Sequence, residues 1–503
     1  SIFVSNNLAF VVPTSALNFL LYVIEIIDFK QYMGFNGSFN RNYLRMKKTV
    51  LLFLVLITAF NLNAQNYQAN WESIDSRPVP QWFEDAKFGI FIHWGVYSVP
   101  AWAPANADIG VYAKYSEWYW WRINDGSPAG KLFREYHNNM YGEDFMYQDF
   151  APDFKAQHFN PDEWADLFKR AGAKYVVLTS KHHEGFTLWP SEQSWNWNSV
   201  DIGPHRDLCG DITKAVKNAG LHMGFYYSLY EWYNPLYKKD VAKYVDAHMI
   251  PQMKDLVTRY EPDIFWTDGE WDHPSETWKS TEFLAWLYND SPVKESVAVN
   301  DRWGKETRGK HGGYFTTEYD LVHTEKGVEG LTRPWEECRG IGTSFGYNQT
   351  ENINNYMTSN ALVDLLVEKV AGGGNLLLDV GPTSDGRIPV IQQQRLQDIG
   401  EWMDINGEAI YESRKWAGAG DNKTENVYFT QKGNALYVLC TEFPDNQVTL
   451  NGVQRAGNVS LLGYDGKIKT RKSGNKLTIH VPQLNPSNYK GKYAWVFKID
   501  NFQ

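Results

Sequence analysis

The chain has 503 residues, of which 43% are hydrophobic and 21% charged, a composition typical of a globular protein with a large core and not of a disordered or membrane-embedded chain. The net charge of -10 and the sequence pI of about 5.7 argue against nucleic acid as a partner. The cysteines, Cys209, Cys338 and Cys440, are far apart and odd in number, so they predict neither a disulfide framework nor a metal site.

The segment from residue 46 to residue 64 has the pattern of a secretory signal peptide. Met46-Lys47-Lys48 supplies a basic start, and an apolar run from Val50 to Phe60 follows that is too short to span a bilayer comfortably. A small residue, Ala64, precedes a polar one. We therefore predict cleavage after Ala64, an exported protein of the periplasm or extracellular space, and no stable membrane insertion after cleavage.

Residues 1–45 lie upstream of this start, and we interpret them as an over-extended gene start. The alternative is a genuine leader, because the run from Leu17 to Ile27 is also largely apolar.

From about Trp71 to Asn406, short apolar strands alternate with helix-like segments, which predicts βα units around a parallel sheet. The predicted strands are Phe88–His93, Tyr175–Thr179, Leu221–Ser228, Ile264–Trp266, Ser296–Asn300 and Asn375–Val380. The predicted helices are Pro161–Ala171, Asp211–Ala219, Val241–Tyr260, Glu276–Leu287 and Asn352–Val370. The stretch between Arg302 and Asn352 reads as rich in loops. Eight units fit this length, so the expected fold class is α/β, with a (β/α)8-like barrel over residues 65–412. The alternative is an open doubly wound sheet, but no glycine-rich dinucleotide motif follows an early strand.

After roughly Gly418 the pattern changes to short strands of period two, which predicts a small antiparallel β-sandwich domain over residues 413–503 in a supporting role. Its predicted strands are Val427–Thr430, Ala435–Thr441, Gln447–Leu450, Lys476–Val481 and Tyr493–Ile499. The predicted hairpin turns are Gly433-Asn434, Asp465-Gly466 and Gly474-Asn475.

Polar side chains stand where several predicted barrel strands end. They are His93, His182, His183, Asp268 and Arg302. Barrels keep their chemistry at the carboxyl ends of the strands, so we expect these side chains to share one site. Three histidines also suit zinc, but neighbouring strand residues point to opposite faces and no further ligand has a familiar spacing. We therefore predict no metal and no cofactor.

Sugar hydrolysis fits these residue types better than metal chemistry. A retaining glycosidase needs two carboxylates roughly 5–5.5 Å apart, one as nucleophile and one as acid and base. Asp268 can be the nucleophile if Arg302 keeps it ionised. On spacing alone the second carboxylate stays open, and the candidates are Glu184, Glu231, Glu270, Glu336 and Glu337.

Several motifs resemble glycoside hydrolase family 29, the α-L-fucosidases, and specifically its broad-specificity lysosomal-type group. They are the segments Trp82 to Gly95, Ser116 to Tyr119, Lys181 to Phe186, Trp266 to Gly269 and Asn375 to Pro382. The resemblance extends from about residue 70 to residue 410. It implies a retaining barrel enzyme with a C-terminal β-sandwich, which removes terminal α-L-fucosyl residues from fucosylated oligosaccharides or polysaccharides.

The resemblance also implies roles for individual residues. Asp268 matches the nucleophile, and Glu336 of Trp335-Glu336-Glu337-Cys338 matches the acid/base, although an extended segment lets only one of the two glutamates reach the site. The residues that match sugar-binding positions are His93, Glu117, Trp118, His182, His183, Tyr227, Trp266 and Arg302. Tyr226 is the alternative to Tyr227. Two rival functions are a glycosidase for a similarly configured sugar such as an α-L-galactoside, and a non-catalytic sugar-binding protein.

Overall fold

The computed structural model describes residues 66–321 and 330–503, so the predicted signal peptide and its cleavage site lie outside the described residues. Eight parallel strands form one curled sheet in the order β5-β4-β3-β2-β1-β8-β7-β6. They are β1 (Phe88–Ile92), β2 (Tyr175–Lys181), β3 (His222–Ser228), β4 (Ile264–Asp268), β5 (Ala298–Val299), β6 (Phe315–Glu318), β7 (Trp335–Gly340) and β8 (Asn375–Val380). Backbone hydrogen bonds from Gly313 to Asn300 and from Tyr314 to Val299, both 3.0 Å, connect the approach to β6 with β5. The predicted barrel is confirmed.

The barrel strands are buried on both faces, because side chains fill the interior and helices cover the outside. Alternate residues such as Phe91, Val177 and Trp266 belong to an interior aromatic and aliphatic cluster. Their neighbours along the strands, such as Ile90 and Phe265, join the larger core under the helices. The same alternation decides which side chains face the interior where each strand ends.

The helices over the barrel and its loops have the following bounds. They are α1 (Trp71–Ile74), α2 (Gln81–Ala86), α3 (Tyr119–Asn124), α4 (Pro128–Tyr141), α5 (Pro161–Arg170), α6 (Leu208–Asn218), α7 (Pro235–Lys239), α8 (Val241–Tyr244), α9 (Ile250–Tyr260), α10 (Ser280–Asn289), α11 (Ser359–Ala371) and α12 (Val390–Asn406). The side chain of Asn160 caps α5 by accepting from Glu163 N, at 3.4 Å, as the Asn-Pro start predicts.

Two predictions within the barrel need correction. The stretch after Arg302 is rich in loops, as predicted, but it also contains the strands β6 and β7, which the prediction missed because they carry polar residues. The helix predicted from Asn352 begins only at Ser359, since a short 3-10 turn at Ile353–Asn355 precedes it and Thr358 caps the helix. No helix within the described ranges is long and apolar enough to cross a membrane.

The C-terminal region forms two antiparallel sheets, in the orders β13-β16-β11-β10-β9 and β12-β15-β14. The strands are β9 (Arg414–Lys415), β10 (Val427–Lys432), β11 (Ala435–Cys440), β12 (Gln447–Leu450), β13 (Val459–Leu461), β14 (Lys469–Ser473), β15 (Lys476–His480) and β16 (Trp495–Ile499). The hairpins at Gly433 and Gly474 are confirmed. Asp465-Gly466 is not a hairpin turn, because β13 pairs with β16 while β14 pairs with β15. Trp402 of α12 donates to the carbonyl of Ala494 at 3.0 Å, which ties this region to the barrel.

Candidate active site

A cavity of about 620 Å³ opens at the carboxyl ends of the barrel strands. Its lining includes eight of the side chains predicted to form the site: His93, Glu117, Trp118, His182, His183, Trp266, Asp268 and Arg302. Further lining side chains that the sequence did not single out are Phe91, Tyr115, Arg308, Glu318, Cys338 and Phe345. The residues at the strand ends come together because the carboxyl ends of parallel strands meet at one rim, and the loops that follow the strands supply the others.

Asp268 ends β4 inside this cavity and is surrounded by donors. Arg302 Nη1 lies 2.7 Å from its Oδ1, and the hydroxyl of Tyr226 donates to its Oδ2 at 3.0 Å. Nε2 of His183 lies 3.9 Å from Oδ2, and Arg308 Nη2 lies 3.5 Å from Oδ1. Burial opposes ionisation, but these neighbours, with Arg302 foremost, hold the pKa of Asp268 well below its usual range. The cavity therefore contains an ionised carboxylate with one small exposed surface.

Gly269 makes the turn that presents Asp268. Its φ is +75°, a conformation that side chains with a Cβ rarely adopt. A Cβ added there would lie 2.5 Å from the Cβ of Tyr230, so the turn also has no room for a larger residue. The Asp-Gly pair is a turn dipeptide, and the turn places the carboxylate at the cavity.

The three histidines lie side by side beneath the cavity mouth. The ring centroids of His93 and His182 are 5.7 Å apart, and those of His182 and His183 are 4.1 Å apart. Burial lowers the pKa of both His93 and His183, so their imidazoles are neutral and each offers one donor and one acceptor. His93 Nδ1 lies 2.7 Å from Asp379 Oδ1, which fixes its ring. Such rings suit sugar hydroxyl groups.

Within residues 66–321 and 330–503, no group of three or more His, Cys, Asp or Glu side chains is arranged to hold a metal ion. The three histidines therefore form a hydrogen-bonding wall and not a chelating set.

Glu117 and Trp118 come from a 3-10 turn at Ser116–Trp118. Glu117 Oε2 accepts from the backbone N–H of Gly346 at 2.9 Å and from Ser344 Oγ at 3.1 Å. Burial raises the pKa of Glu117. The ring of Trp118 stands edge-on to His183, with centroids 5.1 Å apart, so it forms a side wall of the cavity.

Tyr227 does not reach the cavity, contrary to the prediction. Residues of a strand alternate between faces, and in β3 it is Tyr226 that points inward. The hydroxyl of Tyr227 instead donates to Gln252 Oε1 at 2.8 Å on the helix side of the sheet. Tyr226, the alternative, contacts Asp268 directly.

Glu336 also lies outside the cavity, which contradicts its expected contact with substrate. It points into the barrel one layer below Cys338, the next inward residue of β7, and its exposed fraction is 0%. Its carboxylate accepts from the hydroxyl of Tyr175 at 2.6 Å and from Trp266 Nε1 at 3.0 Å. Burial raises the pKa of Glu336 to about 7, a value that suits an acid. A general acid must first reach the leaving oxygen, so the geometry outweighs the pKa.

Glu337 faces away from the barrel interior. Its carboxylate accepts from Thr317, from the backbone of Asp320 at 3.2 Å and from Arg339 at 2.8 Å. Neither glutamate of the Trp335–Cys338 segment therefore borders the cavity.

Glu318, at the end of β6, is the carboxylate that sequence reasoning missed. Arg302 Nη2 lies 3.2 Å from Glu318 Oε2, while Nη1 of the same guanidinium holds Asp268. The hydroxyl of Tyr115 donates to Glu318 Oε1 at 3.4 Å. The available signal was a short run of an aromatic and two β-branched residues, Phe315-Thr316-Thr317, that ends in an acid. One arginine thus joins two carboxylates from different strands across the cavity.

Glu270 is a third acid near the nucleophile position. It contacts Arg308 through Oε1, and its buried Oε2 has no hydrogen-bond partner among residues 66–321 and 330–503. It follows Asp268 by two residues on the same turn, so both lie on one side of the cavity.

Comparison with known proteins gives matches along most of the chain. The family model described as Alpha-L-fucosidase matches residues 54–408, and the model of the Alpha-L-fucosidase C-terminal domain matches residues 420–500. An alpha-L-fucosidase of Dictyostelium discoideum is 43% identical over 91% of this chain and all of its own length. The tissue alpha-L-fucosidase of Homo sapiens is 44% identical over 86% of this chain and 92% of its own. The crystal structure of Thermotoga maritima alpha-fucosidase in complex with a mechanism-based inhibitor superposes with a TM-score of 0.73 at 38% identity, covering 86% of this chain and 100% of that one.

Proposed function

The chain belongs to glycoside hydrolase family 29, the α-L-fucosidases, and from that premise we propose which of its side chains perform the reaction. It is an exo-acting glycoside hydrolase that releases terminal α-L-fucosyl residues from fucosylated glycans with retention of configuration. Retention requires two displacements at the anomeric carbon. One carboxylate acts as the nucleophile, and a second carboxylate on the other side of the bond acts as acid and then as base. Side chains fill the barrel interior below the cavity, so a sugar enters from the rim at the carboxyl ends of the strands.

Asp268 is the proposed nucleophile. Its ionised Oδ forms a bond to the anomeric carbon as the bond to the leaving oxygen breaks, which gives a covalent fucosyl-enzyme. The support is its place at the end of a barrel strand, its low pKa and its hydrogen bonds to Arg302 and Tyr226. These donors hold the carboxylate in one orientation, which lowers the cost of positioning it for attack.

Glu318 is the proposed acid/base in place of Glu336. In the first step its carboxyl donates a proton to the leaving oxygen; in the second its carboxylate takes a proton from water, which attacks the anomeric carbon and frees Asp268. The main support for this assignment is that Arg302 contacts both Asp268 and Glu318 across the cavity. Glu270 is less suitable, because it stands beside Asp268 on the same turn.

The remaining lining residues hold the sugar. His93, His182 and His183 present ring nitrogens to hydroxyl groups, and Glu117 accepts from a hydroxyl at the far wall. Trp266 offers an aromatic face to the apolar side of fucose. No step uses a metal or an organic cofactor.

Hydrolysis of an aryl α-L-fucoside tests the proposal. The wild-type protein and Asp166→Ala, which alters an exposed carboxylate on α5, should turn over at equal rates, while Asp268→Ala should lose nearly all activity. Full activity in Asp268→Ala refutes the nucleophile assignment. Faster turnover of an aryl α-L-galactoside points to the rival sugar, and binding without turnover points to a sugar-binding protein.

We further propose that residues 46–64 are a signal peptide and that the protein is exported to the periplasm or beyond. The support is the basic start and apolar run before Ala64. N-terminal sequencing of the secreted protein should read Gln65 first. A catalytic domain over residues 65–412 and a β-sandwich over 413–503 complete the proposed organisation.

A further inference from the structure

The three-stranded sheet of the C-terminal region presents a strongly basic outer face. Along β14 all five residues are exposed, and Lys469 and Arg471 point to the same side. Across the sheet, Lys469 pairs with His480 and Ser473 pairs with Lys476 on β15. Leu477 and Ile479 of β15 are buried, so Lys476 and His480 point outward. We call Lys469, Arg471, Lys476 and His480 the basic face.

The positive charge of this face is not balanced locally. Residues 466–499 contain seven lysines and one arginine, but no aspartate or glutamate, in a chain whose net charge is -10. Lys492 and Lys498 of this stretch do form ion pairs, with Glu401 and Glu408. Within the described ranges, by contrast, Lys469, Arg471 and Lys476 have no carboxylate at salt-bridge distance. The repulsion among them favours an anion supplied from outside.

Protection of a sheet edge explains only part of this pattern. Lysines on an exposed edge strand discourage pairing with another chain, and β14 is such a strand. Protection against such pairing requires charged residues only on the edge strand β14. The basic face continues onto β15, which is the central strand and already has both of its neighbours.

We propose that the basic face binds an anionic polysaccharide, one that carries sulfate or carboxylate groups. Cations spaced two residues apart on one side of β14 lie roughly 7 Å apart, so they form a row that matches a repeating anion better than a single one. Side chains able to hydrogen-bond sugar hydroxyls lie next to this row, namely Thr478, Gln447 and Thr449. No large exposed apolar side chain lies on the three strands to enter a bilayer.

The site is separate from the cavity, and its binding does not depend on the proposed catalytic residues. Its consequence is that the enzyme stays attached to a charged polymer while the cavity removes terminal sugars.

Retention on immobilised dextran sulfate, with neutral dextran as the blank, tests the proposal in the full-length protein. The test variant is Lys469→Glu/Arg471→Glu. The matched control, Lys214→Glu/Lys238→Glu, makes the same charge change at exposed positions of α6 and α7. The wild type and the control should bind dextran sulfate and not dextran, and elute as salt rises. The test variant should bind at least about tenfold more weakly, with the slope of log affinity against log salt reduced by roughly two.

Hydrolysis of the aryl α-L-fucoside by the test variant should equal that of the wild type, which shows that the variant is folded. The proposal is overturned if the wild type is not retained on immobilised dextran sulfate. It is also overturned if the test and control variants bind dextran sulfate equally well. Tighter binding to phosphatidylserine vesicles or to duplex DNA than to dextran sulfate also overturns it. If the wild type does not hydrolyse the aryl fucoside at all, the proposed function is refuted, but binding of the polysaccharide can still be measured.

Discussion

Exchange of Glu318 and of Glu336 for glutamine separates the two possible acid/base residues. In Glu318→Gln the amide cannot donate a proton to the leaving oxygen or take one from water. General acid–base catalysis contributes about 10²- to 10⁴-fold, so we expect a loss of that size on a fucosylated oligosaccharide, or about 3–5 kcal/mol of transition-state stabilisation. An aryl fucoside with a good leaving group needs less protonation, and its first step should be slowed much less.

Glu336→Gln should behave differently because of its two contacts. The glutamine oxygen can accept from Trp266 Nε1, and its amide can donate to the hydroxyl of Tyr175, which then turns to act as acceptor. Both hydrogen bonds survive without the charge, a change of about 1 kcal/mol. We therefore expect less than roughly tenfold change in kcat/KM for any fucoside.

Stability against pH gives a second readout for Glu336. Its pKa in the folded protein is raised from the ordinary 4.5 to about 7, so folding favours the protonated form. The wild type should therefore lose stability as pH rises through this window, since the carboxyl ionises more readily when unfolded. Glu336→Gln removes that loss. The difference between its urea unfolding midpoint and that of the wild type should therefore shift in favour of the variant as pH rises from about 4.5 to 7.

Azide supplies the decisive measurement. It can occupy the space of a missing acid/base side chain and attack the fucosyl-enzyme, so it should speed turnover of an aryl fucoside by Glu318→Ala and not by Glu336→Ala. Rescue of Glu336→Ala alone, together with a large loss in Glu336→Gln, would refute the geometric assignment and restore the glutamate that the sequence favoured.

Three further predictions concern the contacts of the nucleophile and buried polar pairs of the barrel. In Arg302→Met the pKa of the nucleophile should rise, so the acid limb of the kcat/KM profile should move to higher pH; an unmoved limb would contradict the proposed ion pair. Tyr226→Phe removes a hydrogen bond to a charged group worth about 1.5–3 kcal/mol and should lower kcat/KM roughly 10- to 100-fold, whereas Tyr227→Phe should keep kcat and lose about 1 kcal/mol of stability. Lys181→Met leaves the buried carboxylate of Glu231 unpaired and should destabilise the fold by about 3–5 kcal/mol in urea unfolding; a second change, Glu231→Leu, should recover much of that loss.

The limits of sequence reasoning show most clearly in β6 and β7. Both strands carry polar residues, because Thr316 and Glu336 point into a barrel interior that satisfies them with hydrogen bonds. A strand with buried polar residues lacks the apolar run by which strands are recognised, so this stretch reads as loop. The acid at the end of β6 was overlooked for the same reason.

The sequence by itself determined the barrel, the sandwich and most of the cavity wall. Buried strands such as β2 and β4 are apolar runs that end in polar residues, and parallel strands must bring those ends to one rim. What only the tertiary structure decided is which of two neighbours faces inward, as for Tyr226 and Tyr227, and how deep along its strand an inward residue lies. Glu336 and Glu318 both point into the barrel, but only Glu318 ends its strand at the cavity. Depth depends on the register between strands, and hydrogen bonds between residues far apart in the chain set that register.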